Sequence, residues 1–470
     1  MADELKFGTS GLRGLATQLE GAATRRYVAA FLEYLAATER SGTGAVYLGR
    51  DLRGSSPAIL ADCAAAIAAA GLRAIDCGVL PTQALALHAM AEGGPAIMVT
   101  GSHIPADRNG LKFYAPEGEI SKADEAGIIA ALGEDIVPSG RAATDDQHAE
   151  AVARYLRRYE GFLPSRALDG WRIGVFEHSS VARDLLATLL ADAGAEIVRI
   201  GRSESFVPVD TEAFADAIYA PRREWIAAHR LDAVVSTDGD GDRPLLIDGQ
   251  GGFVRGDVLG MIAARAVGAT AVVTPVTSNS AIEGVGWFAR VERTKVGSPY
   301  VIAAMEALAR AGAVVVGFEA NGGTLLGSAI ERNGQTLTAL PTRDAVLPLL
   351  ATLGAAAAAG QTVAAMVGEL PVRAALSDRL TDVAAARSAA LLEKLAGEPA
   401  VAADYFAPIG KIAAMSSIDG IRFTLDSGDI IHYRASGNAP ELRCYVEGLT
   451  AERAEELLAW GLGAAAREVR

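Results

Sequence analysis

The sequence predicts an α/β protein: three similar α/β domains in series, with mixed, mainly parallel sheets, then a smaller C-terminal α+β domain. Three observations predict it. At 470 residues the chain is too long for one hydrophobic core. A strand–helix–strand unit recurs three times. The last hundred residues break that pattern.

The recurring unit opens on an apolar strand, "AVYLG" at 45–49, "RIGVF" at 172–176 and "AVVTP" at 271–275. In each third a helix ends in Ala-Gly, at Gly71, Gly194 and Gly312, and a second strand follows. A glycine just past a helix supplies its left-handed cap. Strand, helix and strand in succession imply parallel pairing with helices on both faces. From about Pro371 the chain instead reads as a strand, a helix near 381–396 and the hairpin "IRFTLDSGDIIHYR". A closing helix starts at Thr450. The domains are expected over 1–160, 161–256, 257–369 and 370–470, with linkers near 155–168, 253–258 and 366–372, the last being the only connection to the C-terminal domain.

The formal net charge of −14 argues against nucleic-acid or anionic-membrane partners. A small anionic substrate remains open if basic residues gather locally. Residues 345–368 carry no charge, but Pro348, Gly354 and Gly360 interrupt them and alanine dominates. A packed helix and loop is expected there, with no membrane span. The odd count of three cysteines, without a C-x-x-C pair, and an N-terminus lacking a basic start and apolar core point to a cytoplasmic protein.

Five loops carry candidate chemistry. In "VTGSHIPADRNGLKFY", residues 99–114, a short apolar strand stops abruptly and displays Ser102 and His103. Either a nucleophile or an ordinary turn hydroxyl fits. In "STDGDGDRPLLID", residues 236–248, Asp238, Asp240 and Asp242 alternate with glycines and therefore face one way. Three packed carboxylates repel one another, so they call for a cation, and hard oxygen ligands favour Mg²⁺ or Ca²⁺. A calcium loop would need Gly and Glu where Arg243 and Gly249 stand. An aspartyl-phosphatase loop would need Thr or Val where Asp242 stands. The plain alternative is a solvated acidic turn.

"KFGTSGLRG", residues 6–14, is a glycine-rich loop whose amides and Arg13 suit an oxyanion, or else a flexible turn. "VVVGFEANGG", residues 314–323, presents Glu319, able to accept from two vicinal sugar hydroxyls, or else a surface acid. "RASGNAPELR", residues 434–443, sets Arg434, Ser436, Asn438 and Arg443 around Gly437. That is a phosphate cradle or a turn rimmed by arginines.

Taken in order, Thr-Ser-Gly-Leu-Arg-Gly, Thr-Gly-Ser-His, Asp-Gly-Asp-Gly-Asp-Arg, Glu-Ala-Asn-Gly and Arg-Ala-Ser-Gly-Asn resemble the α-D-phosphohexomutase family of phosphomannomutases and phosphoglucomutases. The resemblance covers nearly the whole chain and implies that family's four-domain architecture. It implies an intramolecular phosphotransferase that interconverts mannose 6-phosphate and mannose 1-phosphate. Phosphoglucomutase or dual specificity is the alternative. Ser102 would carry the phosphoryl group, and a hexose 1,6-bisphosphate would be both intermediate and activator.

Within that resemblance, Mg²⁺ sits on Asp238, Asp240, Asp242 and a Ser102 phosphate oxygen. Arg13 and Arg243 orient the phosphoserine, Lys112 is the general acid/base, and His103 lies nearby. Glu319 and Asn321 contact the sugar, and Arg434, Ser436, Gly437, Asn438 and Arg443 contact the phosphate. The chain departs from the family's usual loops: Gly101 and Ile104 replace Ala and Asn beside the serine. Asn321 and Gly323 replace Ser and His in the sugar loop, and Asn438-Ala439 replace Thr-Glu in the phosphate loop. Lys295 is a candidate for the acid/base role left by the missing histidine. Two rival classes are a phosphoserine-dependent phosphatase and a sugar-phosphate binding protein without turnover.

Overall fold

The structure, a computed structural model, describes residues 5–8, 11–134, 142–436 and 440–469. The chain divides into two compact units, residues 1–272 with 297–367, and residues 273–296 with 368–470.

The first unit carries the repeated α/β pattern. Its largest sheet runs in the order Lys6–Gly8, Gly11–Leu15, Arg108–Ala115, Ala96–Val99, Ala45–Arg50, Arg73–Val79, Thr144–Asp146. Ala45–Arg50 pairs parallel with both Arg73–Val79 and Ala96–Val99, and Arg108–Ala115 pairs antiparallel with Ala96–Val99. The sheet is therefore mixed. A second sheet aligns Glu196–Ile200, Arg172–Phe176 and Ala233–Thr237 in parallel, then turns antiparallel through Pro244–Asp248 and Phe253–Val254. Strands Val315–Phe318, Thr324–Leu326 and Leu340–Asp344 pair antiparallel.

The three capping glycines adopt the left-handed conformation expected of them, with φ of 75°, 99° and 86° at Gly71, Gly194 and Gly312. Each helix end closes with the same pair of bonds. Gly71, Gly194 and Gly312 donate to the carbonyls of Ala68, Ala191 and Ala309, and Leu72, Ala195 and Ala313 to those of Ile67, Leu190 and Leu308. Three Schellman ends turn three helices back into strands.

Helix His148–Tyr159 runs into the stretch read as the first linker. Its buried Ala151, Tyr155 and Tyr159 recur every four residues, which seats one helical face. The uncharged stretch forms helix Val346–Ala359, capped by Gly360 at φ 64°, and a short helix Val363–Gly368. Among the described residues no helix is long and apolar enough to cross a membrane.

In the second unit five antiparallel strands order as Ala374–Thr381, Glu441–Gly448, Ile430–Ala435, Ile421–Leu425, Ile412–Ser416. Phe406, Phe423, Ile431, Tyr433, Val446 and Leu457 form its core with the helices. Residues 273–296 are tied into this unit. Ser280 Oγ donates to Glu447 Oε2 at 2.6 Å, Asn279 Nδ2 to the Arg373 carbonyl at 2.8 Å, and the Val296 N–H to Asp419 Oδ2 at 3.0 Å. The chain thus passes between the units three times, at 272/273, 296/297 and 367/368, where the sequence suggested a single connection.

Candidate active site

The site in the first unit begins with a strained serine. Ala96–Val99 is a fully buried strand, and Ser102 follows at φ 54°, a left-handed value that a non-glycine residue adopts at a cost of roughly 1–2 kcal/mol. Two neighbours hold it there: Thr100 Oγ1 accepts the Ser102 N–H at 2.8 Å, and Arg53 Nη2 donates to the Ser102 carbonyl at 2.9 Å. The side chain is buried, and its Oγ donates to Asp238 Oδ2 at 2.6 Å.

Asp238, Asp240 and Asp242 lie just past the buried strand Ala233–Thr237 and are 0%, 0% and 1% exposed, which rules out a solvated turn. One oxygen from each lies within 4.8 Å of the others. Lys112 Nζ donates to Asp240 Oδ2 and to Asp242 Oδ2, both at 2.6 Å, and Thr82 Oγ1 donates to Asp240 Oδ2 at 2.7 Å. Among the described residues, Asp240 Oδ1 and Asp242 Oδ1 are buried without a hydrogen-bond partner. Orphaned anionic oxygens in a protein interior are costly, so the donor set fits a hard divalent cation. A phosphoryl group on Ser102 would add nearly two more negative charges and strengthen that need.

Cations surround the acids. The register of Gly11–Leu15 on Arg108–Ala115 sets Arg13 opposite Gly110, on the sheet face that Lys112 shares. Burial and the neighbouring Arg243 push the Arg13 guanidinium down to about 10. Burial alone would lower Lys112, but Asp240 and Asp242 outweigh it and hold the ammonium above its ordinary value. Burial raises Asp242, yet Arg343, Lys112 and Arg243 hold it well below the usual carboxylate range. Asp238 moves the other way, raised by burial and by its acidic neighbours.

His103 Nδ1 lies 3.2 Å from Ser102 Oγ and 3.0 Å from Arg243 Nη1. Burial and the adjacent arginines push its pKa down to about 2, so the ring is neutral. Arg243 can only donate, so Nδ1 is the accepting nitrogen. The serine proton already goes to Asp238. His103 therefore braces Arg243 in this geometry and does not take the serine proton.

Glu319 follows the buried strand Val315–Phe318 and is itself 5% exposed, so it is no surface acid. Its Oε2 accepts from Arg343 Nη1 at 3.0 Å. Asn321 Oδ1 accepts the Gly323 N–H at 2.9 Å, which commits the amide oxygen to the turn.

In the second unit, pairing sets Arg443 opposite both Arg434 and Arg379. Three arginines thus lie in a row across three strands, an arrangement that repels without an anion. Asp419 Oδ2 accepts from Arg434 Nε at 2.7 Å, and Glu441 lies 3.4 Å from Arg379 and 3.6 Å from Arg443. The Ser436 N–H donates to the Glu441 carbonyl at 3.0 Å. Lys295 is exposed, just past strand Arg290–Thr294. Gly437 and Asn438 lie outside the described residues.

Residues 4–136 match the alpha/beta/alpha domain I of phosphoglucomutase/phosphomannomutase, residues 255–374 match domain III and residues 374–459 match the C-terminal domain. A phosphomannomutase of Sinorhizobium fredii is 50% identical over 467 residues, 97% of this chain and 98% of that one. The chain belongs to the phosphoglucomutase/phosphomannomutase family. It is a phosphohexomutase, an isomerase that moves a phosphoryl group within one sugar phosphate. A phosphomannomutase of Salmonella muenchen is 43% identical, over 96% of this chain and 93% of its own. A phosphoglucomutase/phosphomannomutase family protein from Burkholderia thailandensis shares the fold, with TM-score 0.76 at 20% identity over 98% of each chain. The open form of a Paramecium phosphoglucomutase shares it with TM-score 0.68 at 14% identity, over 99% of this chain and 96% of that one.

Several residues at these places in the two units were not singled out from the sequence. Arg53 is buried, pairs with Asp51 at 3.1 Å, and donates to the carbonyls of Ser102, Ile104, Pro105 and Arg108. A methyl group at Gly101 would lie 2.7 Å from the Arg53 Cζ, which accounts for the glycine beside the serine. The clue was an Asp-x-Arg directly after a buried strand, in "GRDLRG". Arg343 showed only as half of an Arg-Asp pair before the uncharged stretch. Arg379 needed the strand register.

Arg53→Lys is expected to cost roughly 2 kcal/mol of stability, because one ammonium cannot satisfy four carbonyls and a buried carboxylate. Turnover should fall about tenfold as the serine loop loosens. Urea unfolding and kcat measure the two effects, and an unchanged kcat would show that Arg53 does not hold the serine.

Proposed function

We propose that this phosphohexomutase is a phosphomannomutase that interconverts mannose 6-phosphate and mannose 1-phosphate through phospho-Ser102 and a hexose 1,6-bisphosphate. The observation that carries the reading is the buried Ser102 hydroxyl, 2.6 Å from an acid of a cation-ready cluster. The names of the two relatives at 50% and 43% identity support mannose.

The phosphoryl cannot pass directly between O1 and O6 of one sugar, so the enzyme holds it. The bond from phosphorus to Ser102 Oγ breaks, and one to the free sugar hydroxyl forms. Lys112, the candidate acid/base, starts as the ammonium: it gives a proton to the departing Ser102 Oγ and, as the neutral amine, takes the proton of the sugar hydroxyl. After the bisphosphate turns end for end, its other phosphoryl returns to Ser102 and the hydroxyl regains a proton. Arg13 and Arg243 orient the transferring group and offset its charge. Asp238, Asp240, Asp242 and an oxygen of phospho-Ser102 would hold Mg²⁺, which when bound neutralises charge on the phosphoryl oxygens. Arg434, Ser436, Gly437, Asn438 and Arg443 are the proposed contacts for the phosphate that stays on the sugar. Lys295 is the proposed second acid/base group.

Glu319 is the proposed acceptor for the sugar's O3 and O4 hydroxyls. A substrate bound in two opposite orientations presents that pair in exchanged places, and one carboxylate can grip it both ways. Mannose and glucose differ only at C2, so Glu319 should not tell them apart. Glu319→Gln is expected to lower kcat/KM about tenfold on both 1-phosphates. A loss confined to one sugar would remove Glu319 from the shared pair.

A coupled assay of mannose 1-phosphate and glucose 1-phosphate, with a catalytic amount of hexose 1,6-bisphosphate, tests the reading. Production of mannose 6-phosphate supports it. Steady release of inorganic phosphate would indicate a phosphatase, and binding without turnover would indicate a carrier.

A further inference from the structure

We propose that Arg343 is a positioning residue of the transfer, tying the sugar-reading Glu319 to the acidic loop. The proposal rests on the reading of Glu319 given above. Arg343 stands at the end of strand Leu340–Asp344 and is 1% exposed. Its Nη1 donates to Glu319 Oε2 at 3.0 Å, and its Nε to Asp242 Oδ2 at 3.1 Å. One rigid guanidinium thus spans two carboxylates that are 77 residues apart in sequence (242 and 319). A planar fork of this kind, anchored on Asp242, sets the direction of Glu319, because each donor points one way. Asp242 itself keeps a second anchor in Lys112, whose Nζ donates to the same oxygen at 2.6 Å.

The arginine is itself braced. Its Nη1 lies 3.2 Å from Ser298 Oγ, Ser298 Oγ donates to Glu119 Oε2 at 2.7 Å, and Glu119 Oε1 accepts from Thr342 Oγ1 at 2.7 Å. A hydrogen-bonded network holds its members more firmly than any single bond. With Oε2 of Glu319 held, the carboxylate has a defined orientation before a sugar arrives, which is the geometric condition for efficient transfer.

The same side chain explains the missing histidine of the sugar loop. A Cβ at Gly323 would lie 2.5, 2.7 and 2.9 Å from Cδ, Cγ and Cβ of Arg343. No side chain fits at 323 while Arg343 is in place. The glycine and the arginine are therefore one arrangement: the loop surrenders a side chain, and a cation from the next strand fills the space. A guanidinium is a poor proton shuttle near neutral pH, so this corner of the site positions groups and does not exchange protons.

The test is a double-mutant cycle on the full chain, with mannose 1-phosphate as substrate. Arg343→Met and Glu319→Gln should each lower kcat/KM about tenfold. The double variant should fall about as far as the worse single variant, because Arg343 acts through Glu319. Mn²⁺ binding followed by electron paramagnetic resonance, and the phosphate content of Ser102 by intact mass, should stay within about threefold of wild type. Where Arg343→Met does not fold, Arg343→Lys carries the same cycle, since it keeps the charge and loses the fork. Single effects that multiply to about a hundredfold in the double variant would overturn the proposal. So would an Arg343 variant with unchanged kcat/KM, or one in which metal and phosphate are lost together with turnover. A wild-type protein inactive on hexose phosphates would instead overturn the function it rests on.

Discussion

Ser102→Ala is expected to abolish mutase turnover, by more than about a thousandfold, while leaving the fold intact. The Ser102 hydroxyl points at Asp238, whereas the neighbouring Thr100 hydroxyl is turned to Asp51 and the Ser102 N–H, and the serine's geometry is enforced from outside its side chain. Thr100 Oγ1 accepts from its N–H and Arg53 donates to its carbonyl, contacts that an alanine keeps. Both residues meet the same strain at φ 54°, so the backbone should not relax. The variant loses one hydrogen bond to Asp238, worth about 1 kcal/mol. Intact-mass analysis should find one phosphate on the wild type and none on the variant, with melting temperatures a few degrees apart. Near-normal turnover by the alanine variant would sink the nucleophile assignment.

Much of this site could be read because its chemistry sits in contiguous loops. Carboxylates alternating with glycines after an apolar strand could be read as a cluster, although a turn gathers them and not an extended segment: the Gly241 N–H donates to the Asp238 carbonyl at 3.2 Å, with Gly241 at φ 80°. Glycines after Ala-ended helices announce their caps, and all three stand in the left-handed region. Contacts between loops could not be read. Lys112 reaches Asp240 across 128 residues, and Arg343 reaches Asp242 across 101. No local pattern encodes such a meeting. The sequence showed Lys112 as a residue ten past the serine, but not that two carboxylates hold its ammonium. It set His103 beside Ser102, yet only the fold shows Arg243 donating to its Nδ1. Residues 273–296 read as part of a third α/β repeat. Their grouping with the C-terminal sheet depends on Ser280, Asn279 and Val296 finding partners more than ninety residues away.

Asp240→Asn is expected to cut kcat by roughly a hundredfold, about 3 kcal/mol of transition-state stabilisation, and to raise the Mg²⁺ concentration needed for half-maximal rate. Asp240 is the acid best placed to show this. Its Oδ2 already serves Lys112 and Thr82, at 2.6 and 2.7 Å, while its Oδ1 is buried without a partner among the described residues. An asparagine can turn its carbonyl oxygen toward Lys112 and Thr82, so the packing survives. Its NH₂ group then occupies the place of the orphaned oxygen and offers hydrogens to a cation. The cluster also loses one of three charges, which lowers its affinity for a divalent ion before any geometry changes. Mn²⁺ titration should therefore show weaker binding, and excess Mg²⁺ should recover part of the lost rate but not all of it. Wild-type enzyme treated with EDTA should lose activity and regain it with Mg²⁺. Full activity in EDTA would show that Lys112, Arg243 and Arg343 suffice to balance the three acids, and the cation would have no place in the reaction.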